Sequence, residues 1–297
     1  MALSIRLLGV PMDLGQSLRG VDMGPSALRY ARLGQRLERL GHAVQDLGNI
    51  EVAVRGTLDS DKTGLAYLSE ISKSCELVYE AGRKAVADGC LPIFMGGDHS
   101  IALGTVGEVT HEGPSGVIWI DAHGDYNTPE TSPSGNIHGM PLAALMGHGP
   151  PELVDLGRPG AKVRPEDVMV IALRDIDAFE REMLRKSRMG LYTMSEIDER
   201  GIAEVAREAL RRLKHLDRLH VSLDMDSLDP MYAPGVGTAV PGGLNYREAH
   251  LLMELIAADG RIGSVDVVEI NPMLDERNRT GEMATQLLMS LLGKSII

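Results

Sequence analysis

The sequence predicts an α/β protein in which a parallel sheet of about eight strands is covered by helices on both faces. Three observations carry that expectation. Short runs rich in Val, Ile and Leu alternate with longer segments of helical period, as crossover connections between parallel strands require. Several of the runs are apolar at every position, which suits interior strands buried on both faces. Across the 297 residues no repeat, charge block, low-complexity stretch or Pro/Gly/Ser linker separates one self-sufficient pattern from another. The span 1–297 therefore reads as a single domain.

The elements follow in order. The first run covers 4–10, and Ala27, Tyr30, Leu33, Leu37 and Leu40 then recur at helical spacing before a second run at 43–47. Leu68, Ile71, Cys75, Val78, Gly82 and Ala85 mark the next helix, which leads into runs at 91–95 and 116–120. A long segment, 126–165, breaks the rhythm: it is rich in Gly and Pro and has a helix-compatible patch only at 141–146. Runs at 168–173 and 190–193 precede a helix carrying Ile202, Val205, Ala209 and Leu213, then a run at 219–223. Ala249, Leu252 and Ile256 stripe the following helix, a last run covers 264–270, and Ala284, Leu287 and Leu291 face the core from a closing helix.

Composition narrows the function. With 43% hydrophobic and 24% charged residues the chain is ordinary for a globular protein, and no stretch approaches the roughly 18 apolar residues of a membrane span. The opening MALSIRLLGVPMD has no basic region, long apolar core or small-residue cleavage site, so the expectation is a cytoplasmic protein with no membrane role. Thirty Lys and Arg against 42 Asp and Glu give a formal charge of −12, with the basic residues scattered, so nucleic acid is not an expected partner. The two cysteines, Cys75 and Cys90, are too few for a disulfide framework and read as small buried hydrophobes.

Ligands of an open parallel sheet bind at the carboxyl ends of its strands, and four runs end there in metal-binding groups. LPIFM leads to GGDHS with Asp98 and His99; GVIWI leads to DAHGD with Asp121, His123 and Asp125; HVS leads to LDMDSLD with Asp224 and Asp226; SVDVV ends in Glu269. In extended chain, residues two apart share a face, so Asp121, His123 and Asp125 converge if the strand continues, and Asp224 can act with Asp226. One such Asp could equally be a turn residue or helix cap. The set at four strand ends is what points to metal. His99, His123, Asp121, Asp125, Asp224 and Asp226 supply two neutral imidazoles and four carboxylates, whose charge balances two divalent ions. The oxygen-rich mixture suits Mn²⁺, while Co²⁺, Ni²⁺ and Zn²⁺ remain open. Two such ions about 3.5–4 Å apart would acidify a bridging water into a hydrolytic nucleophile. The other histidines, His42, His111, His148, His215, His220 and His250, have no partner at ligand spacing and read as surface or locally satisfied.

Together GGDHS, DAHGD, NTPETSPSGNIHG, SLDMDSLDP and VEINP resemble the arginases of the ureohydrolase family, and the resemblance spans nearly the whole chain. It implies a three-layer αβα fold with a parallel eight-stranded sheet and two Mn²⁺ per subunit. His99 and Asp125 would then be terminal ligands of one ion and His123 and Asp226 would belong to the other, with Asp121 and Asp224 bridging. The implied reaction is hydrolysis of L-arginine to L-ornithine and urea, by attack of a metal-bridging hydroxide on the guanidinium carbon. By the same resemblance Asp125 would relay a proton to the departing amine, His138 would shuttle protons to solvent, and Glu269 would pair with the guanidinium. Asn127, Ser134 and Asn136 match positions that bind the substrate α-carboxylate, Asp177 one near the α-ammonium, and Thr238 a pocket wall. A homo-oligomer, trimer or hexamer, is implied as well.

The nearest alternative is a sister ureohydrolase, an agmatinase or guanidinobutyrase, which cleaves the same bond with the same metals. The NTP and SGN elements favour arginase, because donors built for an α-carboxylate would be left unpaired by a substrate lacking one. A two-metal phosphoesterase is disfavoured because its Gly-Asn-His-Asp/Glu element is absent, and a silent relative because no ligand is missing.

Overall fold

The structure, a computed structural model, describes residues 2–58 and 65–295. Its centre is a sheet of eight strands: β1 (Ser4–Gly9), β2 (Ala43–Asn49), β3 (Leu91–Met95), β4 (Gly116–Ile120), β5 (Val168–Leu173), β6 (Gly190–Thr193), β7 (Leu219–Asp224) and β8 (Ile262–Val268). Every strand pair is parallel, in the order β2-β1-β3-β8-β7-β4-β5-β6.

Helices cover both faces, each with its own apolar cluster. On one side lie α1 (Gly24–Tyr30), α2 (Leu33–Arg39), α8 (Met194–Arg200), α9 (Ile202–Arg212), α10 (Tyr246–Asp259) and α11 (Arg279–Leu291). On the other lie α3 (Leu68–Ala87), α4 (Ala102–Val109), α5 (Pro141–Leu145), α6 (Pro151–Val154) and α7 (Ala178–Lys186). Strand alternation distributes side chains between them: Ile118 and Ile120 enter the first cluster, Val117 and Trp119 the second. The result is the three-layer αβα arrangement expected from the motifs.

Local chemistry sets the helix starts. Thr193 and Asn245 each form a reciprocal capping box, with Glu196 and Glu248, and Asp177 caps α7 through the Phe179 and Glu180 amides. Four expectations need correction. The stripe from Ala27 to Leu40 is two helices, because Arg32 takes a left-handed conformation at φ 61 that interrupts the ladder. Tyr30, assigned to that stripe, is 80% exposed. The last strand begins and ends two residues earlier than expected, which places Glu269 in the turn beyond it. Cys75 is buried as expected, whereas Cys90 is only half-buried, its sulfur accepting from Arg6 Nε at 3.4 Å.

The residues set aside as ordinary behave so. His42 Nε2 lies 2.9 Å from the Leu292 carbonyl, His215 pairs with Asp167 at 2.7 Å, and His250 meets Ser290 at 2.8 Å. No helix among the described residues is long and apolar enough to cross a membrane.

Candidate metal centre and active-site cleft

The four strands at the middle of the sheet, β3, β8, β7 and β4, bring the motif residues together at their carboxyl ends. After β3 the chain turns through Gly97, where a Cβ would lie 1.8 Å from the Met12 carbonyl oxygen. Only glycine allows that approach. Asp98 is a turn residue, accepting from the amides of Gly15 at 2.8 Å and Ser100 at 3.1 Å, and His99 projects into the centre.

After β4 the expected strand alternation does not hold. The strand stops at Ile120, and Asp121, His123 and Asp125 converge because the chain turns on itself. Asp121 Oδ1 accepts from the His123 amide at 2.7 Å, and Asp125 stands at φ 47. The same correction applies after β7. Asp224 is its last residue, and Asp226 lies in a single 3₁₀ turn whose amide donates to Asp224 Oδ1 at 2.8 Å. A carboxylate that accepts from the amide two residues on favours such a turn over continued strand.

These turns build two donor groups that share Asp121. His99, Asp121 and Asp125 form one and Asp121, His123 and Asp226 the other, with donor atoms within 4.8 Å of one another in each. His99 Nδ1 faces Asp125 Oδ2 at 3.0 Å, Asp224 Oδ2 at 3.1 Å and Asp121 Oδ2 at 3.2 Å. His123 Nδ1 faces Asp226 Oδ2 at 3.1 Å and Asp121 Oδ1 at 3.5 Å. A buried imidazole nitrogen ringed by three carboxylates, without a well-aligned hydrogen bond among the described residues, fits a divalent cation as the missing member.

The electrostatics agree. Burial, with the charge of Asp121, pushes the Asp125 carboxyl up to about 6, and burial with Asp226 holds Asp224 well above the usual carboxylate range. Asp121 goes the other way. Burial raises it, but hydrogen bonds from His123 and His99 outweigh burial and hold it low. Burial would lower His123, yet Asp226 and Asp121 override that and push it to about 12. The cluster attracts positive charge strongly.

Above it opens a cleft of about 230 Å³ lined by His123, Asp125, Asp224 and Asp226 and by the loop from Asn127 to Gly139. Asn127, Ser134, Asn136, His138, Asp177 and Thr238, assigned from the motifs, all line it. Asn127 Nδ2 donates to Asp177 Oδ2 at 2.8 Å, and Thr238 Oγ1 donates to Asp226 Oδ2 at 2.7 Å. The Ser134 hydroxyl oxygen accepts from the Asn136 amide at 3.2 Å, leaving its proton for another acceptor. His99, Asp121 and Glu269 lie beneath the lining rather than in it. Glu269 is 1% exposed; its Oε1 accepts from the His99 amide at 3.0 Å and lies 2.9 Å from His138 Nδ1. Burial raises Glu269, but His138 reverses that and holds it low, while the same pair pushes His138 up to about 9 against its own burial.

Several residues of this site went unnoticed in the sequence. Gln16 Nε2 donates to Glu269 Oε2 at 2.7 Å from the loop GVPMDLGQS, which shares the family resemblance but gave Gln16 no role of its own. Glu180 lines the cleft, accepts from the Tyr126 amide at 2.9 Å and packs so closely under Gly124 that a Cβ there would meet its carboxylate at 2.6 Å. In the sequence it stands three residues after Asp177, a spacing that helix capping explains as well. Trp119 stacks on His99, ring centroids 4.0 Å apart, and donates from Nε1 to Asp121 Oδ2 at 2.9 Å.

Comparison with known proteins places this geometry. The family model described as "Arginase family" matches residues 3–293. An arginase of Bacillus subtilis (strain 168) is 48% identical over 295 residues, covering 99% of each chain. The solved structure of an arginase from Bacillus caldovelox superposes with a TM-score of 0.96 at 48% identity, covering 99% of this chain and 100% of that one. The structure of an Entamoeba histolytica arginase in complex with L-ornithine superposes with a TM-score of 0.91 at 32% identity, over 99% and 100% of the two chains. On a match of this length and identity, built on the same fold, the chain belongs to the arginase family of ureohydrolases.

Proposed function

We propose that the chain is a single catalytic domain that hydrolyses L-arginine to L-ornithine and urea, using two Mn²⁺ ions. The observation that carries this reading is the pair of donor groups sharing Asp121 on the floor of an acidic cleft. His99 and Asp125 would hold one ion, His123 and Asp226 the other, with Asp121 and Asp224 between them. When bound, the ions supply Lewis acidity and a water acidified to near neutral pKa.

The chain's own residues select and orient the substrate. Glu269, held by Gln16 and the His99 amide, presents a charged carboxylate that a guanidinium can engage in a bidentate, charge-assisted contact. Among the described residues the cleft lining contains no Lys or Arg, so an α-carboxylate would be met chiefly by the Ser134 hydroxyl and the Asn136 and Asn127 side chains. Asp177 would face the α-ammonium, and Thr238 would form the wall next to Asp226. Asp125, whose Oδ2 faces His99 Nδ1, keeps its second carboxylate oxygen to hold a proton and release it to the departing amine. His138 lies in the cleft lining, where its ring can exchange protons with solvent. That a related arginase has been solved with L-ornithine supports the product assignment. The unpaired cysteines fit a reducing, cytoplasmic setting, and the family reading carries with it a homo-oligomer, trimer or hexamer.

The test is urea release by Mn²⁺-loaded protein from L-arginine and from agmatine, beside a chelator-stripped control. Metal-dependent urea from arginine alone is expected. Preference for agmatine would overturn the reading of Asn127, Ser134 and Asn136 and make the chain an agmatinase. No urea from either would overturn the assigned reaction.

A further inference from the structure

Strands β7 and β8 bury a polar stripe beside the apolar Val117, Trp119, Val168 and Val170 of β4 and β5. Leu219, Val221 and Leu223 of β7 enter the cluster beneath α9 and α10, so the alternate residues His220, Ser222 and Asp224 face α4. Opposite them in register stand Ser264, facing His220, and Asp266, facing Ser222. All five are at most 3% exposed. Burying hydroxyls, an imidazole and a carboxylate in a core costs stability that apolar residues of the same volume would not. The arrangement asks for a use.

The hydrogens of the stripe run in one direction. Ser222 Oγ donates to Asp266 Oδ1 at 2.6 Å, because a carboxylate can only accept. Asp266 Oδ2 accepts from Thr105 Oγ1 at 2.5 Å and lies 3.0 Å from His220 Nε2, and His220 Nδ1 lies 2.7 Å from Ser264 Oγ. With its one hydrogen committed to Asp266, Ser222 Oγ can only accept from His99 Nε2, 2.7 Å away. Nε2 therefore carries hydrogen, and once a cation sits among the three carboxylates Nδ1 is the nitrogen whose lone pair faces it. Trp119, stacked at an interplanar angle of 9°, fixes the ring plane.

We propose that Ser222 and Asp266 are positioning residues that lock His99 into the tautomer and orientation needed to ligate a metal ion through Nδ1. The proposal rests on the two-metal reading of the cluster. An acidic partner behind a ligating imidazole raises its basicity and fixes its aim, and loss of such a partner typically lowers metal affinity about 10–100-fold.

The experiment compares full-length wild type, Ser222→Ala and Asp266→Asn after chelator stripping. Mn²⁺ binding is measured by competition with a fluorescent chelator, and the hydrogen-bearing ring nitrogen of His99 by long-range ¹H–¹⁵N NMR of the protein loaded with diamagnetic Zn²⁺. In Ser222→Ala, where only a hydroxyl is removed, one of two Mn²⁺ sites should weaken by about 10-fold or more while the other is retained. The Nε2–H signature should give way to mixed tautomers, and kcat at saturating Mn²⁺ should fall far less than affinity. Asp266→Asn should act in the same direction; if it fails to fold, Ser222→Ala decides. Unchanged Mn²⁺ affinity together with an unchanged tautomer in Ser222→Ala would overturn the proposal and leave the stripe a structural feature. Wild type that binds no Mn²⁺ would overturn the metal reading itself, a failure distinguishable from the first.

Discussion

Asp125 sits at φ 47, a backbone region that asparagine and aspartate tolerate better than other side chains. Asp125→Asn therefore keeps the turn and removes only the charge and the titratable proton. On the assigned role turnover should fall by about 10²–10⁴ while the far-UV circular dichroism stays that of wild type; retained activity would remove Asp125 from the proton path. Asp125 also shows how much of the site was legible. It stood in DAHGD beside two other donors at the end of an apolar run, and the chemistry of the donor set was enough to select it. Its actual placement, by a turn rather than by strand alternation, depends on a backbone conformation that residue type alone does not announce. Gln16 and Trp119 were invisible for another reason. Neither has a titratable side chain, and what makes each matter is a partner 253 residues away for Gln16 and a ring stacked across from β3 for Trp119.

At the scale of elements, α4 carries the least comfortable side chain outside the site. Glu108 is 3% exposed, neither carboxylate oxygen has a hydrogen-bond partner among the described residues, and a Cβ on Gly82 of α3 would press on its stem. Burial pushes its carboxyl up to about 8, with Arg218 and nearby Ser264 pulling only partly back. The sign follows from linkage: above about pH 4.5 the unfolded chain sheds this proton and the fold keeps it, so stability is lost as pH rises toward 8 and levels off beyond. Glu108→Gln lacks that titration. Its Tm relative to wild type should rise between pH 5 and pH 8 by ~7–14 °C, the equivalent of roughly 3.5 kcal/mol, as read by differential scanning calorimetry, and a difference flat in pH would contradict the assignment. Neither α4 nor the polar face of β7 stands out in the sequence, because α4 is buried at every position and so has no amphipathic stripe. In HVSLD the hydrophobic alternation was plain; that the intervening His220, Ser222 and Asp224 are also buried could be learned only from the helix packed over them.

For the whole molecule, the alternation of strand and helix was legible because each has its own hydrophobic period, but the strand order was not. It is the order β3-β8-β7-β4 that makes neighbours of residues 99, 121, 224 and 269, a consequence of packing between distant segments. Those four strands hold Asp121, Asp125, Asp224, Asp226 and Glu269 buried together in a chain of formal charge −12. Neutralising cations should therefore support the fold as well as the chemistry. An ion present at about 100 times its dissociation constant adds ~2.7 kcal/mol to the stability of the folded state, which at about 2–4 °C per kcal/mol is ~5–10 °C in Tm. Chelator stripping should lower Tm by that amount and added Mn²⁺ should restore it. Sodium chloride distinguishes local from global repulsion. Salt screens exposed charges but reaches a buried cluster poorly, so raising ionic strength should recover little of the loss. Full recovery by salt alone would place the effect in the net surface charge and take the buried carboxylates out of the stability argument.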